Sequence, residues 1–414
     1  MRRTMQSAIA FFFLGLLCVS AAADGVRRAP AATPAGLTET SPGEWTWAWG
    51  SSTVPATPLY GVYGVKGVPD PANRPGARTG SASWTAADGT FWLFGGSGYS
   101  AAGYGHLNDL WRWDGTAWAW MGGSAVEGDP GSYGTKGVAA PENLPSARTQ
   151  AAAGVDAAGT VWLFGGWRVT DTVGSLNDLW KWDGTTWTWV NGSSGTYDLG
   201  TRGTIGVPDP ANVPSSRRGA AAWIDPSGRF WVHGGYGAAD RRDLDDLWRW
   251  DGTTWTWMAG GGPYPTSLAL RGAATWTDRS GNLWLYGGYR TEIVAPEPSG
   301  GRLSDLWRWS GAEWTHVAGP WSAGEAAVHG TKGVPDPANT PGARWHSVSW
   351  ADSAGNFWLF GGEGTTGSGV GYMNDLWRWD GAAWTWMGGA ATPGAAGVHG
   401  ELGIPAPANA PGAR

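Results

Sequence analysis

Cysteine is nearly missing: the 414 residues include one, Cys18, and it lies in an N-terminal segment that reads as a removable secretory signal. Arg2 and Arg3 give that segment a charged start, Ala8 to Val19 form its apolar stretch, and Ala21-Ala22-Ala23 place small residues at a cleavage site before Asp24. A lipoprotein signal fits less well, because Leu17 rather than a small residue precedes Cys18. Once residues 1–23 are removed the chain holds no thiol, which excludes disulfides and Cys-ligated metals. Charge is sparse as well. Charged residues make up 15% of the chain and the formal net charge is −6, moving to −8 when Arg2 and Arg3 leave with the signal. An acidic chain without a basic run is a poor partner for nucleic-acid phosphates. After residue 23 no apolar run is long enough to cross a membrane. Residues that favour helices are few, with 6 Met against 70 Gly, 27 Pro and 34 Trp. This composition points to an all-β protein.

Length alone suggests two or three domains, but internal repetition overrides it. The string PGAR or a variant recurs at Pro75–Arg78, Pro145–Arg148, Pro214–Arg217, Pro341–Arg344 and Pro411–Arg414, with Arg271 expected in the same slot without its proline. Each unit then runs through four strand-like segments. The first leads from the arginine to a tryptophan or its equivalent, such as Arg78 to Trp84. A tight Asp/Gly turn follows, as a hairpin requires. The second is an aromatic-aliphatic run closed by a glycine pair, such as Phe91–Gly96. The third is NDLWRWD or close to it, such as Asn108–Asp114. The fourth carries two more aromatic positions, such as Trp118–Met121. Side chains alternate across a strand, so Trp111 and Trp113 share one face. A four-stranded unit cannot bury two apolar faces alone. Radial stacking of such sheets can, and wide indole rings suit the space between them. Most of the tryptophans are therefore expected to be core.

A glycine pair closing the second strand, then a spaced N-D-L-W and a later Trp, resembles the kelch repeat over residues 43–414. The units exceed ordinary kelch length through inserts such as Gly64–Asn73 and Gly330–Asn339. In that respect they resemble bacterial secreted kelch-repeat proteins, a group called galactose oxidase-like by fold. The resemblance implies a kelch-type β-propeller; function does not follow from it. Residues 24–42 are expected to be a flexible linker. Residues 43–52 match the fourth segment alone, and Pro411–Arg414 open a further unit. The expectation is thus five complete blades plus an orphan N-terminal strand, a fragment of a six- or seven-bladed ring. An unpaired sheet edge is otherwise a liability.

In such a blade the second-to-third loops and the links between blades leave one end, and here they are the long and variable connections. Function on a rigid scaffold usually sits on such loops. Just after the glycine pairs this face offers Tyr99, Tyr104, His106, Trp167, Arg168, Tyr236, Arg241, Arg242, Tyr289, Arg290, Glu292, Glu363 and Tyr372. From these the ligand-binding candidates are Tyr99, Tyr104, Trp167, Arg168, Tyr236, Arg241, Tyr289, Arg290, Glu292 and Glu363. Flat rings beside charged groups suit carbohydrate or protein loops. The competing account is that these residues cap their own blades.

Arg78, Arg148, Arg217, Arg271 and Arg344 read as structural ties to carbonyls or Asp side chains, rather than as an anion-binding ring. The Asp of each N-D-L-W, Asp109, Asp178, Asp246, Asp305 and Asp375, is expected to accept from nearby backbone amides. Calcium needs six to eight converging oxygens, and these lie one per blade. His329, His399 and His346 are read as packing groups. No cofactor is expected. Copper-radical chemistry needs a Cys–Tyr crosslink, which a chain without cysteine cannot form. A mutarotase- or epimerase-like enzyme needs only placed acids and bases such as Glu292, Glu363 and His106, and no spacing singles out a pair. The leading expectation is a secreted or cell-surface binding module for carbohydrate or protein. A carbohydrate-modifying enzyme and a purely structural repeat are the alternatives.

Overall fold

The computed structural model describes residues 44–52, 57–237, 241–261, 268–291 and 300–414; the signal and linker segments lie outside them. Among the described residues there is no α-helix. Twenty strands form five consecutive antiparallel units, each paired in chain order first to second to third to fourth. Blade one comprises Ala82–Thr85, Phe91–Tyr99, Tyr104–Trp113 and Trp118–Gly122. Blade two comprises Ala152–Val155, Val161–Val169, Val173–Trp182 and Trp187–Asn191. Blade three comprises Ala221–Ile224, Phe230–His233, Leu247–Trp250 and Trp255–Ala259. Blade four comprises Ala274–Thr277, Leu283–Tyr286, Leu306–Trp309 and Trp314–Ala318. Blade five comprises Val348–Ala351, Phe357–Thr366, Gly369–Trp379 and Trp384–Gly388. The architecture is a β-propeller.

Neighbouring blades bury the apolar faces that a lone sheet would expose. Trp84, Trp92 and Phe94 of blade one pack on Val161, Trp180 and Trp187 of blade two. The contact recurs with the same ring pair. Phe94 meets Trp187 at 5.3 Å between centroids, Phe164 meets Trp255 at 5.4 Å, His233 meets Trp314 at 5.2 Å, and Tyr286 meets Trp384 at 5.2 Å. Phe360 of blade five meets Trp45 at 5.0 Å, which puts the N-terminal segment in the position of a following fourth strand. That segment, Trp45–Thr46, pairs among the described residues only with the insert strand Pro405–Ala406, without the first three strands of a blade. Each insert docks in this way on a fourth strand through one asparagine. Asn73 donates to the carbonyls of Val68 and Trp118, and Asn409 donates to those of Ile404 and Trp45.

Buried ion pairs tie four of the blades. Arg78, Arg148, Arg217 and Arg344 each make a two-pronged contact with Asp109, Asp178, Asp246 and Asp375. All eight side chains are almost completely enclosed. The carboxylates therefore do not accept from backbone amides, as the sequence suggested, because the third-strand amides are committed to the sheet. They accept from arginine and from an indole two residues on, as in Trp111 Nε1 to Asp109 at 2.7 Å. In blades one and two a tyrosine at the start of the insert region adds a fourth bond, Tyr63 and Tyr133 each donating at 2.7 Å.

Blade four departs from this scheme, and the expected place of Arg271 is corrected by one residue. Arg148 is fixed by its N–H to Leu107 and its carbonyl to Gly96; Leu270 makes the matching bonds to Leu244 and Gly235. Leu270 thus fills the arginine slot, and Arg271 stands one position later, beside Arg218. Asp305 pairs instead with His316, 3.0 Å away.

Candidate functional site

Each first strand is interrupted just after the arginine slot. The interruption is a left-handed residue: Gly80 (φ 65°), Gln150 (57°), Gly219 (65°), Gly272 (65°) and His346 (56°). These residues are linked from blade to blade by backbone bonds. Gln150 donates to Gly80, Gly219 to Gln150, Gly272 to Gly219, and His346 to Gly272, at 2.7–2.9 Å. An inner arc of backbone thus runs around the axis at the mouth on the long-loop face. Left-handed backbone suits glycine, so Gln150 and His346 are the two exceptions.

The residue before this arc and the residue after the glycine pair face each other in every blade. The pairs are Thr79 with Ser97, Thr149 with Trp167, Arg218 with Tyr236, Arg271 with Tyr289, and Trp345 with Glu363. The glycine pair permits this crowding. A Cβ on Gly95 would stand 2.8 Å from the Leu107 carbonyl and 2.9 Å from that of Arg148 in the next blade. All ten residues of the belt are half-buried.

The belt interlocks across blades. The Arg218 guanidinium lies over Trp167 of the preceding blade at 4.3 Å and over Tyr236 at 5.1 Å. Arg271 covers Tyr236 at 5.3 Å and Tyr289 at 4.9 Å. Trp345 meets Tyr289 at 5.0 Å, and the exposed His346 ring stacks on Trp345 at 4.1 Å. Two acids balance this sector. Asp243, almost fully buried, pairs with Arg271 and accepts from the Thr291 amide. Glu363 pairs with Arg302 through one oxygen and accepts from Trp345 Nε1 at 2.8 Å through the other. His106, opposite Ser97, is pushed down in pKa by burial, against a backbone bond at Trp167.

Trp167, Tyr236, Tyr289 and Glu363, all expected as site residues, meet in this belt. Tyr99 and Tyr104 do not join it: they pair at the tip of a blade-one hairpin, 5.0 Å apart, beside Tyr60. Arg168 and Arg290 are buried, Arg168 donating to the Ser194 carbonyl and the Thr172 hydroxyl. Arg241 is exposed in the loop of blade three, and Glu292 lies outside the described residues. Arg218, Trp345 and Gln150 were missed, and Arg271 was read as a structural tie. The available signal was position, one or two residues past the repeat slot, where chemistry changes from blade to blade while the slot itself holds arginine in every blade but the fourth. A depression of about 420 Å³ lies apart from the belt on the rim of blade two. There Lys136 covers the Trp189 ring and donates to the Gly192 carbonyl.

Among the described residues no group of three or more His, Cys, Asp or Glu is arranged to hold a metal. No helix among them is long and apolar enough to cross a membrane.

No family model matches the chain, and no curated protein matches it. A solved structure described as "Structure of YjhT" is similar in fold, with 14% sequence identity and a TM-score of 0.48, covering 77% of this chain and 86% of that chain. The propeller assignment rests on the strand pairing above.

Proposed function

We propose that this chain is a secreted, kelch-type binding module that takes carbohydrate at the mouth of its axis. The supporting observation is the interlocked belt of Trp167, Arg218, Tyr236, Arg271, Tyr289 and Trp345. Half-exposed rings give flat apolar faces for the C–H faces of sugars, and guanidinium and hydroxyl groups beside them supply directional donors. The belt sits on strand ends rather than loop tips, so it is held in place before a ligand arrives, which lowers the ordering cost of binding. An acid–base enzyme fits less well: both oxygens of Glu363 are already engaged.

The test is a glycan-array screen of the purified chain against a Trp167→Ala, Tyr289→Ala variant. Binding by the parent that the variant loses, with melting temperature unchanged, supports the reading. A parent that retains no glycan of any class overturns it in favour of a protein ligand or a structural role.

A further inference from the structure

Among the described residues the belt's charges do not cancel, and the imbalance falls on one residue. Arg271 is paired with Asp243, and Arg302 with Glu363. The Arg218 guanidinium makes no hydrogen bond and no ion pair with any described residue; it lies against the faces of Trp167 and Tyr236. A guanidinium has five N–H donors in a planar fork. Among the described residues none of the five meets a protein acceptor, while the ring faces hold the plane in place.

The setting is unfavourable for a second cation. Arg218 and Arg271 lie over the same Tyr236 ring. Burial, and then the Arg271 charge, push the Arg218 guanidinium below its ordinary pKa. Asp243 is committed to Arg271 and to the Thr291 amide. The arginine slot next door shows how this fold handles an enclosed guanidinium, for Arg217 is given Asp246 in a two-pronged contact. Arg218, one residue on and half-exposed, is given rings and solvent.

We infer that Arg218 is the specificity-determining residue of the mouth, and that the glycan bound there is acidic, its carboxylate or sulfate ester accepting from the Arg218 fork between Trp167 and Tyr236. This deepens the carbohydrate reading and rests on it. The anion completes a charge-assisted, two-pronged contact that the described residues leave open. It also offsets the repulsion between Arg218 and Arg271. The aromatic walls supply the sugar-ring contact, so acidity and ring stacking are read by adjacent groups.

The experiment measures binding of the full chain to three oligosaccharide probes: a neutral galactan, a polygalacturonate and a sulfated galactan. Parent, Arg218→Gln and Arg218→Lys are compared, with melting temperature as the folding control. Expected is binding of at least one acidic probe, at least about tenfold weaker for R218Q, only partly restored in R218K, and weakened by salt. The polygalacturonate and sulfated arms tell carboxylate from sulfate. Equal binding of the neutral galactan and both acidic probes, untouched by R218Q, overturns this inference while leaving the carbohydrate reading intact. Absence of all glycan binding overturns both. If R218Q lowers the melting temperature, R218K decides: acidic-probe affinity equal to the parent in a folded R218K sinks the claim for the planar fork.

Discussion

His316 Nε2 lies 3.0 Å from the Asp305 carboxylate, in the blade where Leu270 has replaced the buried arginine. His316 is flanked by Trp321, stacked at 4.3 Å, and Trp307, edge-on at 4.9 Å. In blade two the corresponding carboxylate, Asp178, receives two bonds from Arg148 and one each from Trp180 and Tyr133. Removing the charge of Asp178 strands an enclosed cation. Asp178→Asn is expected to lose about 3–5 kcal/mol, the usual result of breaking a buried pair. Asp305→Asn strands no enclosed arginine, and is expected to lose less, about 1–2 kcal/mol. Urea denaturation of both variants checks the contrast, and equal losses would refute it.

The same interface holds a second histidine. His233 fills the place of Phe94, Phe164, Tyr286 and Phe360, with its ring against Trp314 and Nε2 3.0 Å from the Leu268 carbonyl. It is fully enclosed, and burial pushes its pKa down. A histidine depressed in the folded state contributes stability above its unfolded pKa of about 6.5, and that contribution is lost as pH falls from there toward the folded value. His233→Phe removes the titration and keeps the ring contact. Its melting temperature relative to the parent is expected to rise steadily below pH 6.5. Parallel pH profiles for the two proteins would show that His233 is not the sensitive group.

Asp246 gives the acid limb. Burial opposes its ionisation, yet Arg217 and the Trp248 N–H outweigh burial and hold its carboxyl down to about 2. A carboxylate depressed in this way contributes stability above its unfolded pKa of about 3.9 and loses it as pH falls through about 2. The contribution amounts to about 2–3 kcal/mol. In an Arg217→Met, Asp246→Asn variant the slope of stability between pH 4 and pH 2 is expected to flatten relative to the parent. Circular-dichroism melts across that window measure it; an unchanged slope counts against the pair as a source of acid lability.

Much of the fold was legible because the repeat fixes strand order, and Phe91–Gly96 or Asn108–Asp114 can be read five times over. What the repeat could not settle was the copy that breaks it. In blade four the arginine survived in the string but moved by one residue, and only the backbone bonds of Leu270 to Leu244 and Gly235 show which residue holds the slot. The site was half legible for a related reason. Trp167, Tyr236 and Tyr289 stand next to an unmistakable glycine pair. Their partners Arg218, Arg271 and Trp345 come from the start of the facing strand, so the belt exists only once the two are brought opposite. Pairing of Trp45–Thr46 with Pro405–Ala406 joins segments about as far apart in the sequence as the described chain allows, and no local pattern announces it.

Gln150 tests whether the mouth stores strain. It sits at φ 57° between Gly80 and Gly219 in the inner arc, where neighbouring blades use glycine. A side chain in the left-handed region costs roughly 1–2 kcal/mol, part of which glycine returns as chain entropy on folding. Gln150→Gly is therefore expected to stabilise the protein by up to about 1 kcal/mol, and Gln150→Ala, which keeps the Cβ, to give no such gain. The reciprocal change is Gly219→Ala. An added Cβ there meets only ordinary van der Waals contact, its nearest neighbour being Arg271 Cβ at 3.5 Å, so any loss, expected at about 1 kcal/mol, reports backbone conformation rather than a clash. Urea midpoints of the three variants decide the matter. If Q150G and Q150A match, the glutamine is unstrained. If Q150G is the more stable, the protein retains a less stable residue at its axial mouth, beside Arg218, as expected where a side chain is kept for a ligand rather than for folding.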